Sequence, residues 1–212
     1  MSATLERVAF TTSRMLEFFT PKELQMQIGR EPSSWPIVLL KELIDNALDA
    51  CEQAGTAPDI TVTVEPDLVS VRDNGPGLPL KTLERSLDYM VRVSNKAHYV
   101  SPTRGQLGNA LKCVWAAPFV VTGEEGRIDV VTGGLWHTVT VSLDRIAQVP
   151  QVDLSSGPDG IVENGTLLRM HWPGIALLSQ RSATTVFLQI GRECGCLVTH
   201  IQLCGIQSTR DV

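Results

Sequence analysis

The 212-residue chain has no long apolar run. Nowhere do about 18 hydrophobic residues follow one another, so no membrane-spanning helix is implied. Its first residues, MSATLERVAFTTSR, hold no apolar signal core, and the expectation is a cytoplasmic protein. Neither common phosphate loop is present: there is no G-x-x-x-x-G-K-[S/T], and no G-x-G-x-x-G follows a strand pattern. An excess of positive charge is missing as well. Charged residues make up 19% of the chain and the formal net charge is −5. That balance argues against a surface that holds nucleic acid by bulk positive charge, while leaving room for a local basic patch or a DNA-handling partner. The five cysteines (Cys51, Cys113, Cys194, Cys196 and Cys204) are odd in number, which suggests reduced thiols. Cys194 and Cys196 are too closely spaced for the usual zinc pair and no histidine pair follows, so packing is their expected role. There is no internal repeat and no low-complexity segment. With 43% hydrophobic residues, the chain can bury a sizeable core in one large domain or two small ones.

The most informative stretch is Lys41 to Glu52, KELIDNALDACE. Leu40, Leu43, Ile44, Ala47, Leu48 and Cys51 recur at three- and four-residue steps and form the apolar stripe of a helix. Glu42, Asn46 and Asp49 recur at +4 and +3, so they share a different face. That face offers carboxylate, amide and carboxylate, the oxygen donors that a hard cation such as Mg²⁺ prefers. A solvated acidic face on an amphipathic helix would read the same way in isolation.

Around it, residues 1–34 read as an N-terminal segment with two short helical patterns, and Phe10, Met15, Leu16, Phe18 and Phe19 supply apolar bulk. Thr20-Pro21-Lys22-Glu23 is a helix start and Gly29 its stop. The long helix is expected over residues 35–54, ending at Gly55. Ile60–Val64 and Leu68–Asp73 alternate as strands and should pair as an antiparallel hairpin. Residues 80–92 look helical, and residues 93–109 read as a long polar loop. A helix begins at Asn109 and is expected to stop before Pro118. Phe119–Thr122, Ile128–Thr132 and Leu135–Leu143 then read as a β-meander, and Val149–Gly160 as a surface loop. Thr166–Trp172 is a further strand, residues 179–193 a helix and residues 197–206 a final strand. Antiparallel pairs dominate. The expected fold class is α+β: a two-layer α/β sandwich with a mixed, mostly antiparallel sheet and helices on one face. The expected organisation is an arm over residues 1–34 and one domain over residues 35–212.

Three other segments could carry chemistry. Asp73-Asn74-Gly75-Pro76-Gly77 leaves a strand and enters a tight turn, where a fixed carboxylate can accept from an exocyclic amine. Asn-Gly also serves as a plain turn. Arg104-Gly105-Gln106-Leu107-Gly108 runs into a helix, whose free N–H groups can hold an anion, and Lys96 and Arg104 could reach phosphate oxygens. Asn164-Gly165-Thr166 presents a hydroxyl at a strand start.

Taken in this order, E-x-x-x-N-x-x-D-A on a helix, D-x-G-x-G after a strand, a Gly-x-x-Gly lid and a late Gly-Thr resemble the Bergerat nucleotide fold of the GHKL superfamily. That superfamily holds type II topoisomerase ATPases, MutL, the heat-shock chaperone of ninety kilodaltons and histidine kinases. KELIDNALDACEQAG, VRDNGPGLP and SNKAHYVSPTRGQLG are most similar to topoisomerase VI B-subunit ATPases, and the likeness covers roughly residues 10–175. The resemblance implies ATP and Mg²⁺ as ligands. Glu42 would be the general base, Asn46 the Mg²⁺ ligand, and Asp49 a support for the adenine side. Asp73 would accept from the adenine amine, beside Gly75, Gly77 and Thr166. Gly105, Gln106, Leu107 and Gly108 would form the lid over the phosphates, with Lys96 assisting.

The same resemblance implies a homodimer formed on ATP binding, a transducer domain or topoisomerase-like partner protein, DNA reached indirectly, and no membrane. Two departures stand out. Ala110 replaces a glycine that the topoisomerase pattern often has, and Ala does not take φ > 0 freely. The chain also stops at Val212, about where a transducer domain with a catalytic lysine would begin. The expectation is therefore either an excised fragment or a module that relies on a partner for that cation. Hydrolysis is the first expectation. An ATP-sensing switch with little turnover is the second, and a purely structural α+β domain the third.

Overall fold

The structure, a computed structural model, describes residues 10–13, 17–65, 67–93, 109–144, 146–147, 149–158, 162, 164–173 and 200–203. Two helices start and stop as their local chemistry dictates. In α1 (Pro21–Ile28) the Thr20 hydroxyl accepts from the Glu23 N–H at 3.2 Å, with Pro21 at the first position. Helix α2 (Trp35–Ala54) follows a short 3₁₀ turn at Pro32–Ser34 and runs for 20 residues. Gly29 and Gly55 close the two helices, each returning its N–H to a last-turn carbonyl. Helix α2 buries Leu40, Leu43, Ile44, Ala47 and Cys51 of the stripe that its spacing predicts, with Leu48 partly buried beside it, and buries Leu39 as well.

These helices lie on a seven-stranded sheet. Its strands are β2 (Thr61–Glu65), β3 (Leu68–Arg72), β5 (Glu125–Thr132), β6 (Leu135–Asp144), β7 (Val149–Pro158), β8 (Thr166–His171) and β9 (His200–Leu203). The order across the sheet is β7-β6-β5-β8-β3-β2-β9, and β9 pairs parallel to β2 while the other neighbours are antiparallel. A separate antiparallel pair joins β1 (Phe10–Ser13) to β4 (Met90–Val93). Strand alternation puts Val62, Val64, Val69, Val71, Ile128, Val130, Val139, Val141, Leu168 and Met170 into one core with α2 and with α4 (Asn109–Thr122). Phe18, Phe19 and Leu24 enter the same core, with Phe19 edge-on to Tyr89 and Phe119. This is the two-layer α+β arrangement expected from the pattern of elements.

Several local expectations are corrected. Helix α4 does not stop at Pro118 but carries it to Thr122, so Phe119–Thr122 is helix and not strand. A proline inside a helix costs about 3 kcal/mol. Burial of the run from Cys113 to Ala117, together with Phe119, outweighs that cost, and the Thr122 hydroxyl bonds the Pro118 carbonyl at 3.0 Å. Helix α3 (Leu80–Ser86) ends well before residue 92, because Met90–Val93 pairs with Phe10–Ser13. That same pairing makes part of the N-terminal segment strand; among the described residues the segment also holds α1 and the 3₁₀ turn at Pro32–Ser34, while residues 1–9 and 14–16 lie outside them. Val149–Pro158 is strand β7 and not a loop; it lies on the sheet edge, where Pro150 and Pro158 need no ladder partner on the open side. The final strand is limited to His200–Leu203 among the described residues. The helix expected over residues 179–193 lies outside them, and no described helix is long and apolar enough to cross a membrane.

On the sheet face away from these helices, Asp129 is buried beside polar partners. It accepts from Arg127 Nε at 3.1 Å, Thr138 Oγ1 at 2.9 Å, Trp136 Nε1 at 3.3 Å and His171 Nε2 at 3.0 Å. Burial alone would raise its pKa, but the bonds from His171, Arg127 and Thr138 together hold it below the usual carboxylate range.

Two outcomes follow for stability. A Cβ added at Gly126 would overlap the Phe119 backbone N and come within 2.9 Å of Phe119 Cα, where β5 meets α4. Gly126→Ala should therefore lower unfolding free energy by about 2 kcal/mol in urea denaturation, and an unchanged midpoint would show that the two elements separate freely. A depressed folded pKa means that the Asp129 contribution is present above its unfolded value of 3.8 and is lost as pH falls through the lower folded value. Asp129→Asn should thus melt a few degrees below wild type at pH 7, with the gap narrowing below that window.

Candidate functional site

Helix α2 presents Glu42, Asn46 and Asp49 in one row, all half-buried. Asn46 Nδ2 donates to the Glu42 carbonyl at 2.8 Å, which orients the amide and leaves Oδ1 as the atom able to ligate. Beside this row, Lys41 Nζ pairs with Asp45 Oδ2 at 2.5 Å on a partly exposed face. Burial raises the Glu42 pKa; the Asp45 charge adds to the rise and Lys41 opposes it. A carboxylate shifted in this direction is a better proton acceptor near neutral pH. The Glu42 charge is also felt by Cys113 on α4, whose thiol is pushed up to about 12, by burial first and by Glu42 second. That thiol is inert.

Strand β3 hands the chain to Asp73, which is 7% exposed. Its Oδ1 accepts from the Gly75 N–H at 2.8 Å and from the Thr166 N–H at 3.2 Å. Its own N–H donates to the Thr166 carbonyl at 2.9 Å. Oδ1 is thus doubly engaged, and the Thr166 hydroxyl also bonds the carboxylate, so a donor on a ligand would join these protein groups at Asp73. Burial nonetheless raises the Asp73 pKa, and the bonds from Gly75 and Thr166 offset this only in part. A carboxylate kept buried against its own preference is a candidate binding group.

Close approach explains the glycines. A Cβ at Gly75 would lie 3.0 Å from Asp73 Oδ1, 3.4 Å from Ala50 Cβ and 3.5 Å from the Cys51 N. The end of α2 therefore rests directly on this turn, and Asp49 is the residue just before Ala50. Gly77 has φ of +84° and Gly165 φ of +82°; a side chain at Gly165 would overlap the Asp73 carbonyl oxygen. The C-terminal end of α2, the Asp73–Gly77 turn and the Gly165–Thr166 turn are thus brought to one place, although Asp73 and Thr166 stand 93 residues apart.

Residues outside the expected set hold this place together. Asn74 reads as half of a turn dipeptide, yet its Oδ1 accepts from the Asp59 N–H at 2.9 Å and Cys51 Sγ at 3.3 Å, and its Nδ2 donates to the Ala57 carbonyl at 3.0 Å. Asn74 so clamps the turn to the segment that leaves α2. Thr132 bonds both turns. No sequence signal marks either, because their partners are distant in the chain. Lys96, Gly105, Gln106, Leu107 and Gly108 lie outside the described residues. Ala110 lies in the first turn of α4, where right-handed backbone suits alanine, so no φ > 0 is required of it. Among the described residues no three His, Cys, Asp or Glu side chains gather as a metal site.

Comparison with known proteins agrees with this fold. The family described as Histidine kinase-, DNA gyrase B-, and HSP90-like ATPase matches residues 33–145, just over half of the chain. The match includes α2 and the Asp73 turn. The B subunit of type 2 DNA topoisomerase 6 from Methanosarcina mazei is 39% identical over 180 residues, covering 82% of this chain and 29% of that protein. Its counterpart in Pyrococcus horikoshii is 35% identical over 162 residues, covering 72% of this chain and 28% of its own length. That of Methanosarcina barkeri is 26% identical over 180 residues, covering 82% of this chain and 29% of its own length. The chain spans less than a third of the length of these relatives. The fold and the family match over residues 33–145 agree, and the chain belongs to the histidine kinase-, DNA gyrase B- and HSP90-like (GHKL) ATPase family, related to the topoisomerase VI B subunits.

Proposed function

We propose that the chain binds and hydrolyses ATP with Mg²⁺, and that ATP binding brings two copies together to drive a topoisomerase VI-like or other DNA-processing machine. The observation that carries this reading is Asp73: a buried carboxylate fixed by Gly75 and Thr166, set against the end of the helix that bears Glu42 and Asn46. In this reading the Asp73 carboxylate accepts from the adenine amine. Gly75 and Gly77 let the base lie against the backbone, while Asp49 and Thr166 support that side of the pocket. Glu42 takes the proton of the water that attacks the γ-phosphorus, as the bond to the β,γ-bridging oxygen breaks and ADP leaves.

The oriented Asn46 amide fits a Mg²⁺ ligand, because its Nδ2 is engaged and Oδ1 is a hard neutral donor. Bound there, Mg²⁺ would neutralise charge that develops on the phosphates. Lys96 and Gly105, Gln106, Leu107 and Gly108 are proposed as the phosphate side of the site, on the sequence pattern alone. The B subunit of topoisomerase 6 is one part of a larger enzyme by its name, which supports a partner protein through which DNA is reached.

Two variants test the reading. Glu42→Ala should lower phosphate release at least about 100-fold with ATP affinity nearly unchanged, measured with the partner present. Equal turnover of variant and wild type would remove Glu42 as the base, and tight binding without turnover in wild type would make the protein an ATP switch. Asp73→Asn keeps the Oδ1 acceptor and removes the buried charge. Because a raised folded pKa means that the ionised form costs stability above 3.8, the variant should melt no lower than wild type at pH 7, with any advantage fading at lower pH. Its ATP affinity should fall at least about tenfold by calorimetry, and retained affinity would unseat Asp73 as the base acceptor.

A further inference from the structure

Thr132 ends β5 immediately before the Gly133-Gly134 turn and is 6% exposed. Strand alternation places it on the core face with Ile128 and Val130. A hydroxyl buried there needs partners, and it has two. Thr132 Oγ1 donates to the Gly165 carbonyl at 3.2 Å and accepts from the Leu78 N–H at 2.9 Å. It also lies 2.6 Å from where a Cβ on Gly77 would stand, so Gly77 is packed against this hydroxyl.

The two ends of the Asp73 turn are therefore held by different groups. The near end is held by Asp73 itself, through Gly75 and Thr166. Among the described residues, the hydrogen bond that joins Gly77–Leu78 to the sheet is the one to Thr132. The same hydroxyl holds Gly165, whose neighbour Thr166 donates to Asp73. One oxygen thus sets the distance between the backbone edge at Gly77 and the carboxylate at Asp73.

We infer that Thr132 is a positioning residue for the purine: by bridging Leu78 and Gly165 it holds the Gly77 edge at a constant separation from the Asp73 acceptor, and so enforces selection of a base with an exocyclic amine over one with a carbonyl there. The inference rests on the reading of this turn as the base site. The chemistry is a matter of matching: an amine donates to the Asp73 carboxylate, whereas a carbonyl oxygen facing that carboxylate is repelled and unpaired. If the Gly77 edge drifts, water fills the gap, the amine bond weakens and the penalty on the carbonyl relaxes.

The test is competition binding of ATP and GTP to the whole protein, with melting temperatures, for wild type, Thr132→Val, Thr132→Ser and Asp73→Asn. Thr132→Val keeps the shape and loses both bonds; it should bind ATP about tenfold more weakly and GTP little differently, so the ATP-over-GTP ratio falls. Thr132→Ser keeps the hydroxyl and should stay within about threefold of wild type in affinity and ratio. Should Thr132→Val fail to fold, Thr132→Ala removes the hydroxyl without a methyl facing Gly77 and carries the same comparison. An unchanged ratio in the hydroxyl-free variant, equal weakening of ATP and GTP, or loss of selectivity in Thr132→Ser would each overturn the inference. Failure of the base reading itself looks different: Asp73→Asn would then keep both affinity and selectivity.

Discussion

Asp73 Oδ1 accepts two backbone N–H groups, one from Gly75 two residues on and one from Thr166 across the sheet. Much of the site depends on that oxygen. The Thr166 bond ties the turn after β3 to the start of β8, its neighbour in the sheet, and the Asp73 N–H returns a bond to the Thr166 carbonyl. The Gly75 bond curls the turn back under the carboxylate, where the absence of a side chain lets Ala50 and Cys51 of α2 close on it. Hydrogen bonds to an ionised group contribute about 1.5–3 kcal/mol each, enough to keep a short turn in one shape. They do not fully offset burial, since the Asp73 pKa still lies above the ordinary value. The turn is held tightly, and the carboxylate is left wanting a further donor.

Two other carboxylates show how environment separates scaffold from site. Asp129 is as buried as Asp73, yet Arg127, Thr138, Trp136 and His171 converge on it and its pKa falls. It is saturated and knits the outer face of β5, β6 and β8. Glu42 and Asp73 are shifted upward by burial, and on Glu42 the neighbouring Asp45 adds to the rise. Groups kept under-satisfied in this way are suited to accept a proton or a hydrogen bond from an arriving ligand. The Lys41–Asp45 pair beside Glu42 is partly exposed, and such pairs contribute little to stability.

Elements with local causes are legible in the residues alone. The Thr20 cap, the Gly29 and Gly55 stops and the 20-residue α2 follow from side-chain chemistry within a few residues. The β2–β3 hairpin follows from alternation across a short turn. The misread elements all depend on partners elsewhere. Pro118 breaks an isolated helix but not one buried through the middle of its length. The β4 segment reads as a helical tail until Phe10–Ser13 lies beside it. The β7 segment, with its Ser, Gly and Pro, reads as loop until β6 supplies a full ladder of partners along ten residues.

The site divides along the same line. Residue type and spacing alone determined that Glu42, Asn46 and Asp49 share a helix face, and that Asp73, Gly75 and Gly77 occupy a tight turn, because helical period and turn chemistry act over a few residues. Only the tertiary structure decided that the turn rests on the end of α2, that Thr166 completes the Asp73 clamp, and that Asn74 and Thr132 hold the turn in place. Those decisions belong to contacts between residues tens of positions apart. A side-chain amide or hydroxyl carries no local sign of which distant backbone group it will meet; the packing of α2 and β8 against the core brings that group within reach.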